Sequence, residues 1–123
     1  MNNSIPLKQS HIFYGGDYNP EQWPQDVWQE DMQLMKQAGV NLITLGVFSW
    51  AHLEPRPGVY TFNWFDKIIS MLHENGIELC LATATASPPP WLAKYHPESL
   101  PVNVDGVKYY PGGRQAYCLH SAA

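Results

Sequence analysis

Short apolar runs along this chain predict buried β-strands. Leu42 to Leu45 is a short, largely apolar run that fits a strand buried on both faces. Glu78 to Ala82 is a second run of the same kind, and a β-leaning run from His11 to Tyr14 precedes both. This last run ends at Gly15-Gly16, where a tight turn or a close approach of the backbone is expected.

Two segments with helical periodicity separate these predicted strands. Asp26 to Ala38 has a broad apolar side formed by Val27, Trp28, Met32, Leu34, Met35 and Ala38. A second helix is predicted after Asn63 as N-cap, because Phe65, Ile68, Ile69 and Leu72 fall at i, i+3, i+4 and i+7. Gly39 and Gly76 follow the two helices as the expected C′ residues.

The resulting order, β-α-β-α-β, is typical of parallel strands joined by right-handed helical crossovers. Such a series opens either an α/β barrel or a doubly wound sheet. Residues 1–10 are polar and are predicted to be a lead-in, with one domain portion over residues 11–123. After the third strand, one helical turn is predicted from Trp91 to Tyr95, and Asp105-Gly106 is a two-residue hairpin signal.

Polar and aromatic residues follow the central strand, at the end where parallel α/β folds place their sites. They are Phe48, Ser49, Trp50, His52 and Glu54. The sequence therefore changes there from scaffold to candidate site. His52, like His73 further along the chain, is a possible base, although a solvated loop or helix histidine is the commoner case.

Three carboxylates, those of Asp17, Glu21 and Glu54, are expected just beyond strand ends. A pair of them could share the acid and base work on a glycosidic bond. An equally weighted alternative is structural: Glu54 pairs with an arginine or caps a backbone amide, and Asp17 fixes the Gly15-Gly16 turn. The residues alone leave both open.

Composition narrows the function classes. A chain of 123 residues with 45% hydrophobic and 15% charged residues is not typical of disorder. A net charge of -4 without a basic stripe argues against nucleic acid, and the absence of G-x-G-x-x-G and Walker patterns argues against nucleotide cofactors. Five Trp and seven Tyr suit sugar rings, but aromatic residues are more often core.

Targeting and cysteine signals are also few. The N-terminus has no cationic and apolar leader, and no apolar run is long enough for a bilayer, so a cytoplasmic protein without membrane contact is predicted. Cys80 lies in an apolar run and Cys118 follows a polar loop, so a disulfide is not expected. No G-x-S-x-G elbow surrounds Ser49 or Ser87.

Several longer motifs resemble one known family. GGDYNPEQWP, GVFSWAHLEP, the G-x-Y-x-F-x-W run from Gly58 to Trp64, and ATASPPPWL followed by GGR-x-x-YC are similar to the start of the family 42 glycoside hydrolases, which are β-galactosidases. The resemblance implies the first three or so βα units of a (β/α)8 TIM barrel, incomplete in this chain. It also implies a retaining mechanism with two glutamates.

The same resemblance implies roles for individual residues. Arg114 matches a substrate-binding arginine, and Trp50 or Trp91 is expected to line the sugar pocket. Asp17 and Glu54, with Glu21, match positions that shape or support that pocket. The acid/base and nucleophile glutamates are expected beyond Ala123, so no catalytic residue is predicted within the chain and the chain alone is expected to be inactive.

Cofactor and partner expectations also come from the resemblance. Cys118 matches the first of four cysteines that bind a structural zinc in some family members, but zinc is not required and is not expected on this chain alone. A galactoside substrate and a homotrimer are implied. Two other hypotheses remain: a carbohydrate-binding or inert truncated fragment, and a barrel glycosidase with another sugar specificity.

Overall fold

The computed structural model describes residues 11–110, 112 and 117–122. These residues form a three-stranded parallel sheet in the order β1-β2-β3, with β1 at Gly15–Tyr18, β2 at Leu42–Leu45 and β3 at Glu78–Leu81. The helices are α1 (Gln25–Gln37), α2 (Trp50–Leu53), α3 (Asn63–Glu74) and α4 (Pro90–Tyr95). Short 3-10 turns occupy Pro20–Gln22 and Pro97–Ser99. No helix of this part of the chain has the length and apolar character of a membrane span.

Both crossover helices end in the same way. The N–H of Gly39 donates to the carbonyl of Lys36 at 3.1 Å, and the N–H of Val40 donates to that of Met35 at 2.9 Å. This is a Schellman motif, in which the C′ residue needs a left-handed backbone and is therefore glycine. Gly39 has a φ of 76°, and Gly76 repeats the arrangement after α3 with a φ of 71°. Both predicted helix stops are confirmed.

The core lies between one face of the sheet and helices α1 and α3. It consists of Tyr18, Trp28, Met32, Ile43, Leu45, Phe65, Ile68, Leu72 and Ile77. The apolar side predicted for α3 is confirmed, but that of α1 is narrower than expected. Leu34 is 53% exposed, because only the stripe that contains Trp28 and Met32 faces the sheet and α3.

The first strand lies further along the chain than the sequence suggested. His11 to Tyr14 is not a strand, and Gly15 to Tyr18 is. Of the two alternatives for the glycines, the tight turn is wrong and the close approach of the backbone is confirmed at Gly15. The physical reason is the close approach of β1 to β2: a Cβ at Gly15 would lie 1.6 Å from the carbonyl oxygen of Leu42. The alternative in which Asp17 fixes a turn therefore fails, because Asp17 lies within β1.

Two loops also differ from their predictions. The segment after β2 contains a short helix, α2, where a loop was expected. Asn63 is the first residue of α3 and not its cap; the N-cap is Phe62, without a side-chain hydrogen bond. The helical turn predicted from Trp91 to Tyr95 is confirmed, with Pro90 as its first residue.

The predicted hairpin is present only as an isolated bridge between Val102 and Lys108. Asn103 and Val107 pair across a three-residue loop instead of the expected two-residue loop, with the Asn103 N–H donating to the Val107 carbonyl at 3.0 Å. The Asn103 side chain accepts hydrogen bonds from the N–H groups of Asp105 and Val107, and Gly106 has a φ of 77°. A left-handed glycine after a turn is the usual form of a three-residue hairpin loop.

Candidate active site

Among the described residues, the sheet face opposite the core is not covered by a helix. The strands are in register, so that Asp17, Thr44 and Cys80 lie in one row across β1, β2 and β3. Their neighbours Ile43 and Leu45 are buried against the helices, and side chains alternate along a strand. The row therefore lies on the other face, which carries a carboxylate, a hydroxyl and a thiol toward the carboxyl ends of the strands.

Glu54 organises the loop that follows β2. Its Oε2 atom accepts a hydrogen bond from the indole N–H of Trp50 at 2.9 Å, and its Oε1 atom accepts one from the backbone N–H of Gly58 at 2.8 Å. Its carbonyl oxygen accepts a third, from the indole N–H of Trp91 at 2.8 Å. Both carboxylate oxygens are thus used within the chain, which supports the alternative in which Glu54 caps a backbone amide.

These hydrogen bonds fix an aromatic group that we call the Trp50 cluster, formed by Trp50, Trp91 and Tyr117. Trp50 packs edge-on against Trp91, with ring centroids 6.3 Å apart and planes at 89°, and against Tyr117 at 6.4 Å and 83°. The Tyr117 hydroxyl donates to the carbonyl of Thr85 at 3.1 Å, in the loop after β3. The cluster therefore joins the loops that follow two neighbouring strands.

A cavity lies on each side of Trp50. One, of about 200 Å³, is lined by Trp50, Leu53, Glu54 and the loop after β3. The other, of about 370 Å³, contains Trp91, Tyr117 and Cys118 in its wall. Both linings are mainly apolar with few polar groups, which is the usual character of a small-molecule site.

The structure brings some of the sequence-predicted site residues together and separates others. Trp50, Trp91 and Glu54 are in direct contact through the hydrogen bonds described above. Asp17 lies on β1, exposed on the uncovered face, and no hydrogen bond described for it joins it to the cluster. Arg114 lies outside the described residues, so its predicted role remains a prediction.

Cys118 was the predicted metal ligand. It is a free, partly buried thiol in the wall of the larger cavity, where His96 is the other side chain able to ligate zinc. Within the described ranges, no group of three or more His, Cys, Asp or Glu side chains is close enough to hold a metal ion. Tetrahedral zinc needs three or four such ligands, so these residues do not by themselves fit a zinc site.

Two aromatic residues near the cluster were noted in the sequence only as motif letters. Tyr60 and Phe62 stack with centroids 5.6 Å apart and planes at 5°, and both line the smaller cavity. Each is about half exposed. Their i, i+2 spacing in the G-x-Y-x-F-x-W run was the available signal, since alternate residues of an extended segment point the same way.

A hydrogen bond between a tyrosine and a carboxylate joins β1 to α1. The hydroxyl of Tyr18 donates to Asp31 Oδ2 at 2.7 Å. Burial, that hydrogen bond and the negative charges of Asp31 and Glu21 all raise the pKa of Tyr18 well above its ordinary value. Tyr18 is therefore a neutral hydrogen-bond donor at physiological pH and supports the core side of the sheet.

Curated relatives match most of this chain. β-Galactosidase LacZ of Heyndrickxia coagulans is 56% identical over 114 residues, which are 93% of this chain and 17% of that protein. β-Galactosidase BgaB of a Geobacillus strain is 53% identical over 109 residues, 89% of this chain and 16% of its own length. The chain thus spans about one sixth of the length of these relatives.

Solved structures of β-galactosidases also superpose on most of this chain. A β-galactosidase from Rahnella sp. R3 superposes with a TM-score of 0.89 at 43% identity, covering 94% of this chain and 17% of that one. A β-galactosidase from Bacillus circulans sp. alkalophilus superposes with a TM-score of 0.83 at 46% identity, covering 87% and 16%. The structures it matches are TIM-barrel enzymes, so the predicted fold class, an incomplete α/β barrel, is confirmed.

The family model for glycoside hydrolase family 42, described as β-galactosidase, matches residues 17–123. This range contains all three loops that follow the strands. The chain therefore belongs to glycoside hydrolase family 42.

Proposed function

We propose that the protein containing this chain hydrolyses terminal β-D-galactosides with retention of configuration, and that this chain supplies the first three strands of its barrel. Family membership over residues 17–123 is the observation that carries the proposal. The relatives named above are β-galactosidases, and the Trp50 cluster lies after the strands, on the side where barrel enzymes have their sites.

The chain's own part in this reaction is to bind and orient the sugar. The flat indole rings of Trp50 and Trp91 suit the apolar face of a pyranose, and Glu54 holds each ring through one hydrogen bond. Arg114 is proposed to donate hydrogen bonds to galactose hydroxyls. The acid that protonates the leaving oxygen and the nucleophile that attacks the anomeric carbon are proposed to come from residues after Ala123.

The first experiment compares sugars. The protein expressed from its complete gene is assayed on nitrophenyl β-galactoside, β-glucoside and β-xyloside, and the anomer first released is identified by NMR. We expect the galactoside to be preferred and the β-anomer to appear first. Preference for the glucoside or xyloside would support the alternative of another sugar specificity, and galactose binding without turnover would support a carbohydrate-binding role.

The second experiment tests the sugar-binding residues. Arg114→Ala is expected to lower kcat/KM by about 10- to 150-fold, since a hydrogen bond from a charged group contributes about 1.5–3 kcal/mol. Arg56→Ala is the matched control, because Arg56 is exposed in the turn before Gly58. An equal loss in both variants would refute a specific role for Arg114.

The third experiment uses the 123-residue chain by itself. We expect no hydrolysis, because neither glutamate of the retaining pair is predicted within it. Turnover of a nitrophenyl galactoside by this chain would refute the proposal that later residues supply the chemistry. A cytoplasmic location and, for the complete protein, a homotrimer remain predictions of the same proposal. A structural zinc that uses Cys118 is proposed only for a complete protein that supplies the remaining ligands.

A further inference from the structure

A third cavity lies on the opposite side of α2 from the Trp50 cluster. We call it the outer cavity; it has a volume of about 460 Å³. Residues that line it include Glu21, Trp23, Trp28, His52, Thr61 and Trp64. Helix α2 separates the two regions, since Trp50 and Leu53 face the smaller Trp50-side cavity, whereas Ala51 and His52 line the outer one.

The wall of the outer cavity is unusually aromatic. It contains three of the five tryptophans of the chain, and most of its lining surface is apolar. Trp28 is buried, and its indole N–H is already bonded to the carbonyl of Pro20 at 3.0 Å. Trp23 is 56% exposed at the rim, so a large indole surface stands in water there without packing against the core.

One polar group in this wall has no partner among the described residues. The Oε2 atom of Glu21 is closed off from solvent and accepts no hydrogen bond from the described part of the chain. A buried, unpaired carboxylate oxygen is costly, and a rotation of the Glu21 side chain that brings this oxygen to a donor in the cavity recovers that cost. The outer cavity therefore combines apolar aromatic surface with an acceptor that lacks a donor.

The charges around the cavity favour a neutral ligand over a cation. Lys67 already lies beside the wall: its Nζ atom donates to Gln25 Oε1 at 2.9 Å and lies 5.8 Å from the centre of the Trp28 ring. This ammonium group occupies the cation-attracting face of the Trp28 indole. A second cation would meet its repulsion.

From these observations we infer that the outer cavity is a second, non-catalytic carbohydrate site that binds one neutral pyranoside unit. The apolar C–H face of the sugar packs on Trp23, and a hydroxyl donates to the Glu21 carboxylate. The volume lies in the range of about 300–1,000 Å³ that is usual for small-molecule sites. This site does not depend on the proposed hydrolysis, because it shares no lining residue with the two cavities beside Trp50. Glu21, which the resemblance implied to shape or support the galactoside pocket, lines the outer cavity and neither of those two.

The test uses the protein expressed from its complete gene and a thio-linked β-galactoside, which resists hydrolysis. Calorimetric titration measures how many sugars bind per chain. We expect two bound sugars per chain in the unaltered protein and one in Trp23→Ala. The Trp23 indole lies at the rim and is not part of the core, so its removal leaves the core packing unchanged. Glu21→Gln, which keeps the shape but removes the charge, is expected to weaken the second site about tenfold.

Tyr95→Ala is the matched control, since Tyr95 is 58% exposed and lines neither the outer cavity nor the two beside Trp50. It should leave both sites intact. Trp23→Ala should also change kcat/KM on nitrophenyl β-galactoside by less than about twofold, because Trp23 is absent from the proposed active site.

Three results would overturn the inference. The first is the same number of bound sugars in Trp23→Ala as in the unaltered protein, and the second is an equal loss in Tyr95→Ala. The third is Glu21-dependent binding of tetramethylammonium with no second sugar, which would make the cavity a cation site. If the protein failed to hydrolyse galactosides but lost one bound sugar in Trp23→Ala, the proposed function would fail and this site would stand.

Discussion

Replacement of Gly15 by alanine should disrupt the junction between β1 and β2. The new Cβ would lie 1.6 Å from the Leu42 carbonyl oxygen, whereas real Cβ atoms essentially never approach closer than 3.0 Å. The strands must therefore separate locally by about 1.4 Å. The nearby hydrogen bonds from the N–H groups of Asn41 and Leu42 to the Tyr14 carbonyl, at 2.9 Å and 3.3 Å, would then be broken or badly strained.

The expected loss in the free energy of unfolding follows from these two backbone hydrogen bonds. Two lost backbone hydrogen bonds between partly exposed residues cost about 0.5–1.5 kcal/mol each, so the native state should lose roughly 1–3 kcal/mol. The side chain of Asn41 also joins this junction through the N–H of Tyr14 and the carbonyl of Ile12, and a shift would strain both contacts. A change of this size is large for a single methyl group.

The assay compares Gly15→Ala with Gly16→Ala in the protein expressed from its complete gene. A Cβ at Gly16 would meet nothing within 4 Å, so the neighbouring substitution is the control. We expect Gly15→Ala to lower the thermal inactivation temperature strongly or to prevent soluble expression, and Gly16→Ala to change stability by less than about 1 kcal/mol. Equal inactivation temperatures for the two variants would refute the close approach of the strands.

Three further changes test other parts of the structure. Ser49→Ala should leave stability equal or higher in chemical denaturation, because the Ser49 hydroxyl is fully buried and has no hydrogen-bond partner among the described residues; a loss above about 1 kcal/mol would contradict this. Gly76→Ala should cost about 1 kcal/mol in the same assay, since its φ is 71°; an unchanged midpoint would show that α3 ends differently. Because the pKa of Tyr18 is raised, its contribution to the free energy of unfolding is fully present below the unfolded-state pKa of 10.0 and is lost as the pH rises above that value. Tyr18→Phe should reduce this loss of stability at alkaline pH, and an unchanged dependence of stability on pH would exclude Tyr18 as its source.

Much of the scaffold could be predicted because it depends on local rules. The 3.6-residue spacing of Phe65, Ile68 and Leu72 places them on one side of a helix whatever surrounds it, and all three are buried. Gly39 and Gly76 end their helices because a left-handed C′ residue is costly for other side chains. The apolar run from Leu42 to Leu45 became β2 with the predicted bounds.

The first strand could not be predicted in the same way. Gly15 and Gly16 have low intrinsic preference for a strand and are usually turn residues. At Gly15 the Leu42 carbonyl comes so close that only a residue without a Cβ fits, whereas a Cβ at Gly16 would meet nothing within 4 Å. That constraint depends on a residue 27 positions away in the pairing register, so the two glycines indicated a possible close approach but not the strand that makes it.

For the candidate site as well, some features could be predicted from the sequence and others depended on the tertiary structure. The sequence by itself determined the family, the βα order and the identity of the aromatic and acidic residues after the strands, because these follow from motifs and from periodicity. Only the tertiary structure decided that the two carboxylate oxygens of Glu54 accept hydrogen bonds from Trp50 and Gly58. It also decided that Trp91 packs against Trp50, which lies 41 positions earlier in the sequence. Hydrogen bonds and ring contacts between separate loops depend on distances that the parallel sheet sets, and a single sequence does not encode those distances locally.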